Sequence, residues 1–208
     1  MRPLFVTIEG ADGAGKTTAA LGLQKKLEEN GLDCLYTREP GGSRIAEKIR
    51  DILLDPAHAE MDDMTEAILY AASRRQHLTD IVLPALRQGK TVICDRFVDS
   101  SLAYQGTARN LGFDKVWQLN QMAIQDCLPD VTILLEVSPD TARSRRQHRH
   151  EKADRIEAEG NVFQEKVIQG FEQCAARFPQ RIRKVNADQS PSQVVEEIYG
   201  ILQEAARG

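Results

Sequence analysis

A run of eight residues, Gly10-Ala11-Asp12-Gly13-Ala14-Gly15-Lys16-Thr17, constrains this chain more than any other feature. It matches G-x-x-x-x-G-K-[ST] and stands where that pattern has meaning. The buried-strand run Leu4-Phe5-Val6-Thr7-Ile8 precedes it, and a helical pattern from Lys16 to about Glu29 follows. Glycines let backbone N–H groups converge on phosphate oxygens, and the helix N-terminus adds favourable partial charge. In such a loop Lys16 reaches the β and γ phosphates and the Thr17 hydroxyl serves Mg²⁺, while the backbone from Gly10 through Thr18 cradles the rest.

Strands and helices alternate along the remaining chain. Strand patterns fall at Cys34–Thr37, Thr91–Cys94 (ending in Asp95), Val131–Val137 and Ile182–Val185. Ser43 can cap a helix through about Leu54, with Ile45, Ile49 and Ile52 or Leu53 inward. A long helical segment runs from about Met64 to Gln88, with Pro84 expected to kink or end it. Further helices are expected at 114–126, 139–149, 161–177 and 191–206. Five strands alternating with helices imply an α/β fold with a mostly parallel sheet. At 208 residues the chain is expected to be one domain, 1–208, able to bury a core without metal or disulfide.

The balance of 31 acidic against 27 basic residues gives net charge −4 and no reason to expect nucleic acid or a membrane surface as partner. No run of 18 apolar residues is present, and the N-terminus carries no secretory pattern. Cys34, Cys94, Cys127 and Cys174 are scattered with no C-x-x-C pair, so they read as reduced, buried thiols of a cytoplasmic protein.

Asp95 ends the third strand beside the loop, where ligands of parallel sheets bind. It reads either as an acid acting on Mg²⁺ through water or as a helix cap or ion-paired acid. Arg96 follows and can hold a second anion. A guanine-reading GTPase would carry N-K-x-D after a late strand, whereas this chain has Asn186-Ala187-Asp188-Gln189. A small kinase needs an acceptor pocket and a mobile cationic lid. The segment Arg143–Arg155 suits a lid, with six Lys/Arg (Arg143, Arg145, Arg146, Arg149, Lys152, Arg155) against Glu151 and Asp154. The lid is placed at about 143–160. No aromatics interleave its cations, which argues against nucleic-acid binding. A regulatory P-loop ATPase is the competing non-kinase reading.

Beyond the loop, several runs resemble the thymidylate kinase family. They are Thr37-Arg38-Glu39-Pro40-Gly41-Gly42, Tyr70-Ala71-Ala72-Ser73-Arg74, Asp95-Arg96-Phe97 and Asp99-Ser100-Ser101-Leu102-Ala103-Tyr104-Gln105-Gly106. Pro129-Asp130 and Asp154-Arg155-Ile156-Glu157 complete the set, in family order across residues 4–188. The resemblance implies a P-loop three-layer fold with a five-stranded parallel sheet of order 2-3-1-4-5 and a mobile lid. It implies transfer of the ATP γ-phosphate to dTMP, giving dTDP and ADP for dTTP synthesis, with Mg²⁺ at Thr17 and Asp95, and a homodimer.

The residue chemistry agrees. Tyr70 and Arg74 lie one helical turn apart, so a ring can stack on a pyrimidine while the guanidinium bonds its O4. The family usually has Phe at the first of these positions. By resemblance, Ser101 and Gln105 hydrogen-bond the base, which requires their segment to be helical. Tyr104 packs at ribose C2′, Asp12 accepts from the 3′-hydroxyl, and Arg38 and Arg96 grip the acceptor phosphate. Lys16, Arg96, Asp95 and a lid arginine form the catalytic group. One family branch places a cation in the loop after the Asp; this chain has Gly13 there and resembles the branch that supplies a lid arginine. Arg149 is the candidate, Arg146 stays possible, and Arg145 is expected against the adenine.

Overall fold

A computed structural model describes residues 2–147, 155–156 and 159–207, the side chain of Arg146 apart. The strands are β1 (Phe5–Glu9), β2 (Cys34–Arg38), β3 (Thr91–Asp95), β4 (Val131–Glu136) and β5 (Ile182–Asn186). They form one parallel sheet in the order β2-β3-β1-β4-β5, the order expected. Alternation along β1 feeds two layers. Leu4, Val6 and Ile8 pack with Leu23 and Leu27 of α1 (Lys16–Glu29) and with Ile198 and Leu202 of α9 (Pro191–Ala205). Phe5 packs on the opposite face with Leu78, Val82 and Phe97.

The sheet register builds the site. Ile8 and Arg38 both pair with Asp95, so the C-terminal ends of β1, β2 and β3 meet at one edge. That edge is where crossover connections leave room for ligands.

Three elements depart from the sequence expectation. First, α2 (Arg44–Leu54) turns Ala46 and Leu53 inward and leaves Ile45 and Ile52 exposed. Of the two choices at the end of the helix Leu53 is the inward one, while Ile45, expected inward, faces solvent. Ser43 stands at its N-cap without a cap bond; Glu47 Oε1 instead accepts from the Gly42 N–H at 2.6 Å.

Second, the boundary expected at Pro84 is a change of winding and not an end of the helix. It runs as α3 (Asp63–His77), a π-helical turn over Leu78–Val82, and α4 (Leu83–Arg87). A proline in a helix clashes with the carbonyl four residues back, and the widened turn makes the room.

Third, Asp99–Gly106 is helical: α5 (Val98–Ser101) continues as a π-helical stretch over Leu102–Ala108. No helix was legible there, because π winding shifts apolar positions off the 3.6-residue period. The remaining helices are α6 (Phe113–Ile124), α7 (Pro139–Gln147) and α8 (Asn161–Arg177).

Candidate active site

The sheet edge opens into a cavity of about 830 Å³ that runs from the glycine loop to Tyr70. Its walls include Asp12 through Thr18, Arg38, Tyr70, Asp95, Arg96, Ser101, Tyr104, Gln105 and Arg145. Of the residues expected to form the site, Gly10, Ala11 and Arg74 stand behind the wall, and Arg149 lies outside the described residues.

The loop's conformation requires its glycines. Gly10 has φ 142°, and a Cβ there would stand 2.7 Å from the Leu135 carbonyl oxygen. Gly13 has φ 89°, with a Cβ falling 2.5 Å from the Ala142 carbonyl oxygen, so α7 leaves no space for a side chain at this position. Lys16 Nζ folds back onto the loop, donating to Gly10 O at 3.0 Å and Ala11 O at 2.9 Å. Burial, reinforced by Arg96, lowers its pKa to about 8, against the pull of Asp12, Asp95 and Glu9. Asp12 Oδ1 stands 3.9 Å from the ammonium, whose hydrogen-bond partners in the loop are neutral carbonyls that phosphate oxygens can replace.

Thr17 Oγ1 donates to Asp95 Oδ2 at 2.6 Å. A hydroxyl and a carboxylate thus adjoin at the cavity wall. These are hard oxygen donors of the kind Mg²⁺ takes, so the residues present fit that ion.

Asp12 is the centre of the acceptor end. Its Oδ1 accepts from Arg96 Nη2 at 2.5 Å, and its Oδ2 from Tyr104 Oη at 3.1 Å and Gln164 Nε2 at 3.3 Å. Burial alone would raise its pKa, but Arg96 and then Lys16 overcome that and hold it at about 2. Arg96 itself has φ 70°, a left-handed backbone, and its guanidinium also donates to Gly10 O and Ser100 Oγ. The turn after it is held by Glu9. Oε1 of Glu9 accepts from Phe97 N at 2.7 Å and Ser100 N at 3.2 Å, and Oε2 from Ser100 Oγ at 2.6 Å. Burial and the nearby Asp99 raise the Glu9 pKa to about 7, outweighing Ser100, Arg96 and Phe97.

Ser101 and Gln105 share a face, because their segment is helical, and both line the cavity with Tyr70 and Tyr104. Arg74 differs from expectation. It is 2% exposed and spends its guanidinium on protein acceptors: Glu39 Oε2 (2.8 Å), Ser101 Oγ (3.0 Å), Asn120 Oδ1 and Phe97 O (2.9 Å). It thereby fixes Ser101 from behind. Arg38 donates to Pro40 O and Glu47, beside Arg50, which donates to the same Pro40 carbonyl and also lines the cavity. Arg50 was not singled out from sequence; one cation on an amphipathic helix carries no signal. Gln164 and Glu66 were missed too, since one polar residue on an amphipathic helix carries no more signal. At the other end, Arg145 Nη2 donates to Ala187 O at 2.9 Å, next to the loop.

A parallel sheet of this order, a phosphate loop and a second polar pocket sharing one cavity define a P-loop nucleotide kinase. The comparisons narrow the class. The sequence model of thymidylate kinase matches residues 8–198. The chain is 48% identical to a thymidylate kinase of Oceanobacillus iheyensis over 203 residues, covering 97% of this chain and 90% of that one. It is 47% identical to one of Bacillus licheniformis over 208 residues, covering 100% and 98%. The crystal structure of thymidylate kinase from Ehrlichia chaffeensis superposes with a TM-score of 0.77 at 32% identity, covering 98% of this chain and 99% of that one. The chain belongs to the thymidylate kinase family, transferases that phosphorylate dTMP.

Proposed function

We propose that this chain transfers the γ-phosphoryl group of ATP to dTMP in the presence of Mg²⁺, giving dTDP and ADP, with the residues of this one cavity in separate roles. The carrying observation is that the phosphate loop and the Tyr70–Gln105 wall face a common space, with Asp12 and Arg96 between them.

ATP phosphates lie on the loop N–H groups from Gly10 to Thr18, where Lys16 exchanges its two carbonyl partners for phosphate oxygens. Arg145 lies toward the adenine. Thr17 and Asp95 would hold Mg²⁺, which when bound neutralises phosphate charge. Tyr70 stacks on the thymine, Ser101 and Gln105 bond its edge, and Arg74 sets Ser101. Tyr104 and Asp12 face the sugar, and Arg38 and Arg96 the acceptor phosphate. That phosphate has a second pKa near ~6, so it is dianionic at neutral pH and needs no general base. The chain's work is alignment, charge neutralisation and exclusion of water, completed by Arg149 from the lid.

The single-domain organisation with a lid over about 143–160 belongs to this reading, as does a cytoplasmic setting. A homodimer is supported by a row of exposed apolar side chains on three neighbouring helices: Ile45 and Ile52 of α2, Ile68 of α3 and Met122 of α6. Light scattering at micromolar protein tests it, and the 23.2 kDa monomer mass would refute it. A coupled assay with ATP and Mg²⁺ over dTMP, UMP, CMP, AMP and thymidine tests the activity. Preference for any acceptor but dTMP, or hydrolysis that no acceptor stimulates, would overturn it.

A further inference from the structure

Glu66 of α3 is wholly buried, yet lies among cations and amides rather than apolar groups. Its Oε1 accepts from Gln105 Nε2 at 2.9 Å and Arg109 Nε at 3.4 Å. Its Oε2 accepts from Arg109 Nη2 at 3.2 Å and Arg155 Nη2 at 2.6 Å. Arg155 belongs to the lid run. It is anchored at two further points on the end of α2: Nε donates to Leu53 O at 2.9 Å and its backbone N–H to Leu54 O at 3.2 Å. The next residue, Ile156, lines the cavity. Arg109 reaches the lid side as well, through Glu159.

We propose that Glu66 is a positioning residue for the base reader: held by Arg155 and Arg109, it sets the Gln105 amide so that the pocket selects a pyrimidine carrying an N3–H. A carboxylate only accepts hydrogen bonds, so the Gln105 NH₂ must face it. The group Gln105 then offers the cavity is its carbonyl oxygen, an acceptor. Thymine and uracil present N3–H to such an oxygen; cytosine presents a lone pair and is repelled. The same carboxylate is where Arg155 docks. Arg155 and Arg109 together hold the Glu66 carboxylate in place, and through it the Gln105 amide.

This inference rests on the proposed placement of the base against Gln105. Four variants separate the two: Gln105→Ala, Glu66→Gln, Arg155→Met and the double variant Gln105→Ala/Arg155→Met. Each is checked for folding by its thermal melt and assayed for kcat and KM with dTMP and dCMP. Glu66→Gln can present its own NH₂ to Gln105 and let that amide turn, so the preference for dTMP over dCMP falls about tenfold or more. Arg155→Met, which removes one anchor of the Glu66 carboxylate, raises the KM for dTMP about tenfold. In the Gln105→Ala background Arg155→Met changes that KM little, because the reader it acts through is gone. Equal effects of Arg155→Met in both backgrounds, or an unchanged dTMP/dCMP ratio in a folded Glu66→Gln, would overturn the coupling. An unchanged ratio in Gln105→Ala would overturn the base placement itself, and the coupling with it.

Discussion

Arg96 Nη2 lies 2.5 Å from Asp12 Oδ1, an ion pair that ties the residue after β3 to the middle of the phosphate loop. Both side chains are largely buried, so neither charge is well hydrated without the other. Removing one partner of a buried pair typically costs about 3–5 kcal/mol, because the remaining charge is stranded. Asp12→Ala is therefore expected to lose stability of that order in urea unfolding. The surviving fold should show a raised KM for dTMP, since Arg96 and Tyr104 both lose the group that aims them. A stable variant with unchanged KM would remove Asp12 from the acceptor site.

Tyr70→Ala tests the base wall. Stacking of a base on an aromatic ring is worth ~1–3 kcal/mol, so dTMP affinity should fall about 5–150-fold. ATP affinity should change little, because Tyr70 belongs to α3 and not to the phosphate loop. Calorimetric titration with each nucleotide separates the two. Equal losses for both would indicate general unfolding or a wrong assignment.

Glu9 and Asp12 give opposite pH signatures. The native pKa of Asp12 is lowered from 3.8 to about 2, so its stabilising contribution is present above pH 3.8 and disappears as pH falls toward 2. The native pKa of Glu9 is raised from 4.5 to about 7, so folding takes up a proton between those values. Its contribution is greatest below pH 4.5 and is lost as pH rises through 7. Thermal melts of Glu9→Gln should show a shallower decline in Tm from pH 5 to 8 than the unsubstituted protein. Parallel profiles would place the titration on another group.

How far the sequence could be read depends on how local each signal is. The β1–loop–α1 unit was fully legible because strand, glycines and helix follow one another within a single stretch. Sheet order came from the resemblance, since short apolar runs such as Thr91–Cys94 do not say which strand they join. The helix at Val98–Ala108 escaped because π winding spoils its period, although Ser101 and Gln105 depend on it. On α2 the inward side is read correctly at Leu53 but not at Ile45, an apolar side chain that faces solvent. Glu66 could not be found at all. Its partners Gln105, Arg109 and Arg155 come from separate parts of the chain, and only the folded structure brings them together.

The last expectation concerns the cation that meets the transferring phosphoryl group. The loop cannot supply one beyond Lys16, because at Gly13 both the backbone and the Ala142 carbonyl forbid a side chain. Within the lid run, Arg145 is spent on Ala187 O and Arg155 on Glu66 and Leu53 O. By the family resemblance Arg149 is the candidate for the role, with Arg146 as the alternative register. A contact formed chiefly in the closed, reacting complex affects kcat more than KM. Arg149→Ala is therefore expected to lower kcat by ~10³–10⁵, equivalent to ~4–7 kcal/mol, with a much smaller change in the KM for dTMP. Arg146→Ala should be milder. An inactive Arg146→Ala beside a near-normal Arg149→Ala would shift the assignment between them. Near-normal turnover in both would mean that the lid supplies no catalytic arginine, and that Arg96 and Lys16 carry the charge alone.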